Sequence, residues 1–132
     1  TLVVADNLVD QLLHPPIQYQ IGGFGEIAQT HHFVQAGADR VERVGNLNYP
    51  DEARRRRIGG LVVISVGVRR DGSVESIRIV QSSHVPMLDE AATRIVKLSQ
   101  PFSPLPKTQE DPDVLHVTRT WQFLPGGELI DR

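Results

Sequence analysis

Between residues 61 and 81 the chain reads LVVISVGVRRDGSVESIRIVQ, two β-branched runs flanking Asp71-Gly72. That pair readily supplies positive φ angles, so the pattern predicts a hairpin. Placing Arg70 opposite Ser73 sets Val68 against Glu75, Val66 against Ile77, Ile64 against Ile79 and Val62 against Gln81. Val62, Ile64, Val66, Val68, Ile77 and Ile79 then share one face, which helices should cover. A slip by one residue would bring Ser76 and Arg78 among the valines, because strand side chains alternate with period two and buried polar groups are costly. Leu61, Val63, Val74 and Val80 fall on the opposite face and need a cover of their own. Downstream, Leu88, Ala91, Ala92, Ile95 and Leu98 repeat at helical spacing behind Pro86, with Asp89, Glu90, Thr93, Arg94 and Lys97 on the wet side. Pro101, Pro104 and Pro106 then break regular structure, and Phe102 and Leu105 pin that loop to the core. Residues 114–124 alternate again as a strand: Leu115, Val117, Trp121 and Phe123 share one face with Arg119 as its polar exception, and His116, Thr118, Thr120 and Gln122 share the other. Pro125-Gly126-Gly127 ends it.

The N-terminal part is less regular. Leu8, Val9, Leu12 and Leu13 stand at helical spacing behind an Asn7 cap, and His14-Pro15-Pro16 closes that segment. Residues 17–28, with Gly22, Gly23 and Gly25, read as an irregular connector. Phe33, Val34, Ala38, Val41 and Val44 then predict a helix capped by Thr30 and ended by Gly45 in a left-handed conformation. Asn46, Leu47 and Asn48 form a polar linker before Tyr49-Pro50 and a short helix. Pro50, Asp51 and Glu52 suit its N-terminus and Arg54, Arg55, Arg56 and Arg57 its C-terminus, before Gly59-Gly60 stops it.

A chain of 132 residues is one domain's worth. Its formal charge of −2 gives no general attraction to nucleic acid or to a membrane surface. Without cysteine there is no disulfide framework and no thiolate metal site. No apolar run approaches the roughly 20 residues that span a bilayer. The sequence begins at Thr1 rather than Met and reads as a fragment or processed product that lacks its anchor.

Catalytic chemistry needs a convergent set of groups, and the sequence offers none. His14, His31, His32, His84 and His116 are scattered, without the spacing of a metal site. Ser82-Ser83 beside His84 lack an elbow or oxyanion-hole motif and suit a turn or helix cap better than a nucleophile. Gly22-Gly23-Phe24-Gly25 lacks both the preceding strand and the Lys-Ser/Thr of a phosphate loop. The four arginines spread around most of a helical turn and read as a solvated helix end. Trp121 and Phe123 share a face with Leu115 and Val117, which makes them core rather than a stacking platform.

The ordered set Tyr49-Pro50, Ala53, Gly60, Asp71-Gly72, Val80, Ser82-Ser83, Leu88-Asp89, Ala91-Ala92, Phe102 and Pro104 resembles the C-terminal domain of TonB-type energy transducers over residues 41–124. His84 replaces the glycine that often follows the serine pair, and Leu98-Ser99-Gln100 replaces a common tryptophan. The expected fold is α+β: a small antiparallel three- to four-stranded sheet with helices packed on one face. Residues 41–132 form the TonB-like domain, and residues 1–40 an N-terminal extension that serves as spacer, extra helix or self-covering segment.

The resemblance implies a periplasmic domain of an inner-membrane-anchored bacterial protein, driven by inner-membrane proton-motor proteins through a segment outside this sequence. It implies binding of the TonB-box segment of TonB-dependent outer-membrane receptors for nutrient uptake of the iron-siderophore or haem type. An extended peptide adds to a sheet edge through main-chain hydrogen bonds. The partner-binding residues it implies are Asn46, Leu47, Asn48 and Tyr49 from the linker and Val114, His116, Thr118, Thr120 and Gln122 from the last strand. No catalytic residue, metal or cofactor is expected, nor a nucleic-acid partner, and the state is a monomer or a strand-exchanged dimer. The alternatives are a TolA-like envelope-linking domain and a small envelope sensor or peptidoglycan-binding module.

Overall fold

The computed structural model describes residues 2–4, 23–107 and 112–131. In chain order they form β1 (Leu2–Val4), α1 (Gly23–Leu47), α2 (Asp51–Arg55), β2 (Gly60–Arg69), β3 (Val74–Gln81), α3 (Pro86–Ser99), β4 (Val114–Leu124) and β5 (Glu128–Asp131). Strands β3, β2, β4 and β5 pair antiparallel in that spatial order, and β1 joins β4 in parallel. Val41 of α1 and Leu88, Ala91, Ala92, Ile95 and Val96 of α3 close the main core with Val62, Ile64, Val66, Val68, Trp121, Phe123 and Leu129 of the sheet, and Val34 of α1 packs with Leu115 of β4 in a second, smaller cluster. The class is therefore α+β with the helices on one face, as the pattern predicts.

The centre of the hairpin has the expected register, with Val66 opposite Ile77 and Ile64 opposite Ile79. Its ends differ. The turn is a three-residue loop: Gly72 N–H donates to Arg69 O, Arg69 N–H donates to Ser73 O, and Gly72 takes φ 92°. That geometry fits a tight turn whose last residue is left-handed, and it pairs Val68 with Val74 instead of Glu75. Glu75 is then an extra residue on β3, a bulge that restores the central register, and a second irregularity at Val80 leaves Val63 opposite Gln81. One consequence is that Val74 packs against the core rather than on the opposite face. Gly72 is required for a second reason, since a Cβ there would stand 2.0 Å from Phe102 O. The proline-rich loop thus lies directly over the turn, with Phe102 N–H donating to Gly72 O and both Phe102 and Leu105 packed on the core. Four buried β-branched residues on β2 contribute about 1.5–3 kcal/mol each, so a one-residue slip of that strand is excluded on energy alone.

The helices depart further from expectation. α1 runs for 25 residues, from Gly23 to Leu47, so residues 23–28 are helical rather than a connector and Thr30 lies inside the helix rather than capping it. Gly45 does not end the helix either. A Cβ at that position would sit 2.2 Å from Leu129 Cδ2, so glycine is there to let β5 approach the helix. The helix ends at Leu47, and the backbone N–H and side-chain Nδ2 of Asn48 both donate to Val44 O. α2 ends at Arg55, and Arg57, not the glycine pair, turns left-handed at φ 53°. In α3 the buried stripe passes through Val96 and Ser99, while Leu98 is half exposed. Ser99 is accommodated because its Oγ donates to Ile95 O at 2.7 Å and Arg40 Nε donates to its carbonyl, tying α1 to α3. The helix expected over residues 7–13 lies outside the described residues.

Candidate functional site

β4 is an interior strand of the sheet, paired on both sides. On one side β2 pairs with it continuously, from Gly60 opposite Phe123 to Arg69 opposite Val114. On the other side two short strands divide the edge. β1 covers the start in parallel, with Leu2, Val3 and Val4 opposite Leu115, His116 and Val117. β5 covers the end antiparallel, from Trp121 opposite Asp131 to Leu124 opposite Glu128. Thr118, Arg119 and Thr120 lie between the two ladders.

The side chains of Val114, His116, Thr118, Thr120 and Gln122 fall on the helix-free face of the sheet, each partly exposed. The residues on the other face are committed to the core: Leu115, Trp121 and Phe123 are 3%, 2% and 1% exposed. Arg119, the polar exception in the sequence, has its partner in β5. Its Nε donates to Asp131 Oδ1 at 2.7 Å, Trp121 Nε1 donates to Asp131 Oδ2 at 3.1 Å, and the Asp131 side chain is 2% exposed. A charge buried on an apolar face demands such a partner. That demand was the available signal for β5, which sequence patterning misses because it is only 4 residues long.

The linker residues divide between two tasks. Asn46 and Leu47 belong to the last turn of α1, and Leu47 is 81% exposed. Asn46 Oδ1 accepts from Leu129 N–H at 2.9 Å, and Glu42, one turn earlier, accepts from Asp131 N–H at 2.8 Å. Two helix side chains therefore occupy backbone donors on the outer edge of β5, where an incoming strand would otherwise pair. Tyr49 is buried at 4% exposure; its hydroxyl donates to Leu124 O at 2.7 Å and its ring meets Phe123 edge-on at 5.6 Å. Burial pushes its phenol up from the ordinary value, against the pull of Arg54. Arg54 lies 5.7 Å from the Tyr49 ring centroid, and Arg56 pairs with Glu52, so part of the arginine run is engaged locally.

Ser82 and Ser83 form the turn that leads into α3, tied to the helix through Asp89, and no side chain caps the helix at Val85. Asp89 accepts from Ser82 Oγ, from Ser83 Oγ at 2.7 Å and from Ser83 N–H at 3.0 Å, while His84 takes φ 64° to let the chain turn into α3. Among the described residues no three His, Cys, Asp or Glu side chains gather as a metal site, and no helix is long and apolar enough to cross a membrane.

A small α+β domain built around a strand whose second edge is covered only in pieces is the class that this geometry defines. The family model for the Gram-negative bacterial TonB protein C-terminal matches residues 45–125, and the chain belongs to that family. Its members are periplasmic domains of bacterial TonB-like energy transducers. The chain is also similar to the solution structure of the TonB C-terminal domain of Helicobacter pylori, at 25% identity, a TM-score of 0.58 and coverage of 70% of this chain and 80% of that one. No match is found among curated proteins. The family match begins at Gly45 and ends at Pro125, so β1, nearly all of α1 and the whole of β5 lie outside it.

Proposed function

We propose that this domain is a non-enzymatic adaptor that captures the TonB-box segment of outer-membrane receptors by strand addition to β4 and passes motor-derived force to them for nutrient uptake of the iron-siderophore or haem type. The force comes from a proton-driven inner-membrane motor. The observation that carries the reading is the division of the β4 edge: a strand of 11 residues meets a full-length partner on one side and only strands of 3 and 4 residues on the other. Main-chain hydrogen bonding to such an edge needs no particular side chain, which suits a receptor segment recognised mainly by its backbone. Val114, His116, Thr118 and Thr120 supply the contacts, with Gln122 and the linker residues Asn46, Leu47 and Asn48 at the far end. The glycan-binding alternative gains no platform, because Trp121 and Phe123 are buried.

Titration of the chain with a synthetic receptor-box peptide, followed by backbone amide shifts, tests this. The expected response is concentrated at residues 114–120. Binding without any shift there, or no binding at millimolar peptide, would overturn the proposal.

A further inference from the structure

The two strands that cover the β4 edge are held there in different ways. β5 is held by side chains on every side: the Asp131 carboxylate takes Arg119 and Trp121, Asn46 and Glu42 take the N–H groups of Leu129 and Asp131, and the Leu129 side chain is 1% exposed beneath Gly45. β1 has a ladder of 3 residues at a sheet edge and, among the described residues, pairs only with β4. Short edge strands are marginal by themselves, and a parallel pair is slightly weaker per residue than an antiparallel one. The same chemistry that would admit a foreign peptide at Leu115, His116 and Val117 already holds a piece of this chain there.

We infer that Leu2–Val4 is a built-in competitor: it covers the docking half of the β4 edge in the free protein and must leave before a partner strand can add, while β5 stays in place. This rests on the docking reading above and assigns its regulation. A tethered segment competes at an effective concentration set by its linker, and the apparent affinity for an outside strand falls by the fraction of chains that are uncovered.

The test uses the full chain carrying Val3→Pro and Val4→Pro together, because two adjacent prolines remove whichever N–H faces β4. The first probe is the synthetic hexapeptide TLVVAD, residues 1–6 of this chain, added in trans. It should bind the double variant at least about tenfold more tightly than the unaltered chain, with amide shifts at residues 115–117. Equal affinity, or no shift there, overturns the inference. The unaltered chain supplies an independent readout in hydrogen exchange: amides of residues 115–117 that face β1 should exchange at least about tenfold faster than those of residues 122–124 that face β5. Equal protection would also overturn it. A receptor-box peptide separates the two levels. If it binds both chains equally, the competitor fails and the docking reading stands; if it binds neither while the hexapeptide behaves as described, the docking reading fails and the cover stands.

Discussion

Asp89 illustrates how much a single side chain organises here. It projects from the first turn of α3 back to the end of β3, where three donors from Ser82 and Ser83 converge on its carboxylate. Burial works against its charge, but the hydrogen bonds from both serines outweigh that effect and hold the carboxyl below the usual range. The folded state thus binds the Asp89 proton more weakly than the unfolded chain does. The stability this contributes is complete above the unfolded pKa of about 4 and is lost as pH falls through the lower folded value. Replacing Asp89 with Asn, which cannot accept from all three donors, should cost about 1 kcal/mol at neutral pH, the gap between charged and neutral hydrogen bonds. Urea unfolding between pH 7 and pH 2.5 would check it: below about pH 4 the wild type should lose its advantage over Asp89→Asn. A constant difference across that range would show that the carboxylate charge is not what stabilises this corner.

At the scale of elements, the long alternating segments were legible and the short ones were not. β2, β3, α3 and β4 carry period-two or helical patterns that depend only on which side is buried. Tertiary contacts decided the rest: Gly45 looks like a helix stop until β5 is brought beside it, and the bulge at Glu75 follows from a loop one residue longer than the Asp-Gly pair suggests. β1 and β5 are too short to show a period. The candidate edge itself was readable as residues 114–124, but its occupation was not, because nothing in β4 alone encodes who pairs with it. The β5 clamp makes an element-level prediction. Asp131→Ala strips the buried partner from Arg119 and leaves Trp121 Nε1 without its acceptor. Breaking a buried pair from one side costs about 3–5 kcal/mol, a large share of a small domain's stability, whereas Asp113→Ala, in an exposed pair with Arg70, should cost less than about 1 kcal/mol. Denaturant midpoints of the two variants would compare them directly, and equal midpoints would mean that β5 is not clamped through Asp131.

At the scale of the whole molecule, the guarding of the sheet edges leads to a prediction about oligomeric state. The sheet ends at β3 on one side, where the irregularities at Glu75 and Val80 disturb the flat ladder that a second strand needs, and exposed Glu75 and Arg78 add charge. On the other side β1 and β5 share the β4 edge, and α1 side chains occupy backbone donors of β5. A chain with both edges guarded in this way should sediment as a monomer. Stopping the chain after Leu124 removes that guard at its strongest point. Trp121, Phe123 and Arg119 lose their cover, and the second half of β4 becomes an open, partly apolar edge. Where one copy loses a strand, a second copy can supply one, since exchange of identical elements is a low-cost route to dimers. The shortened chain should therefore be less stable and form a concentration-dependent dimer, read by sedimentation across a hundredfold range, with amide shifts concentrated at residues 118–124. The Val3→Pro/Val4→Pro chain, which uncovers only the short β1 half, should remain monomeric over the same range. A shortened chain that stays folded and monomeric would mean that the β4 edge is not adhesive, and strand addition would lose its physical basis together with the dimer.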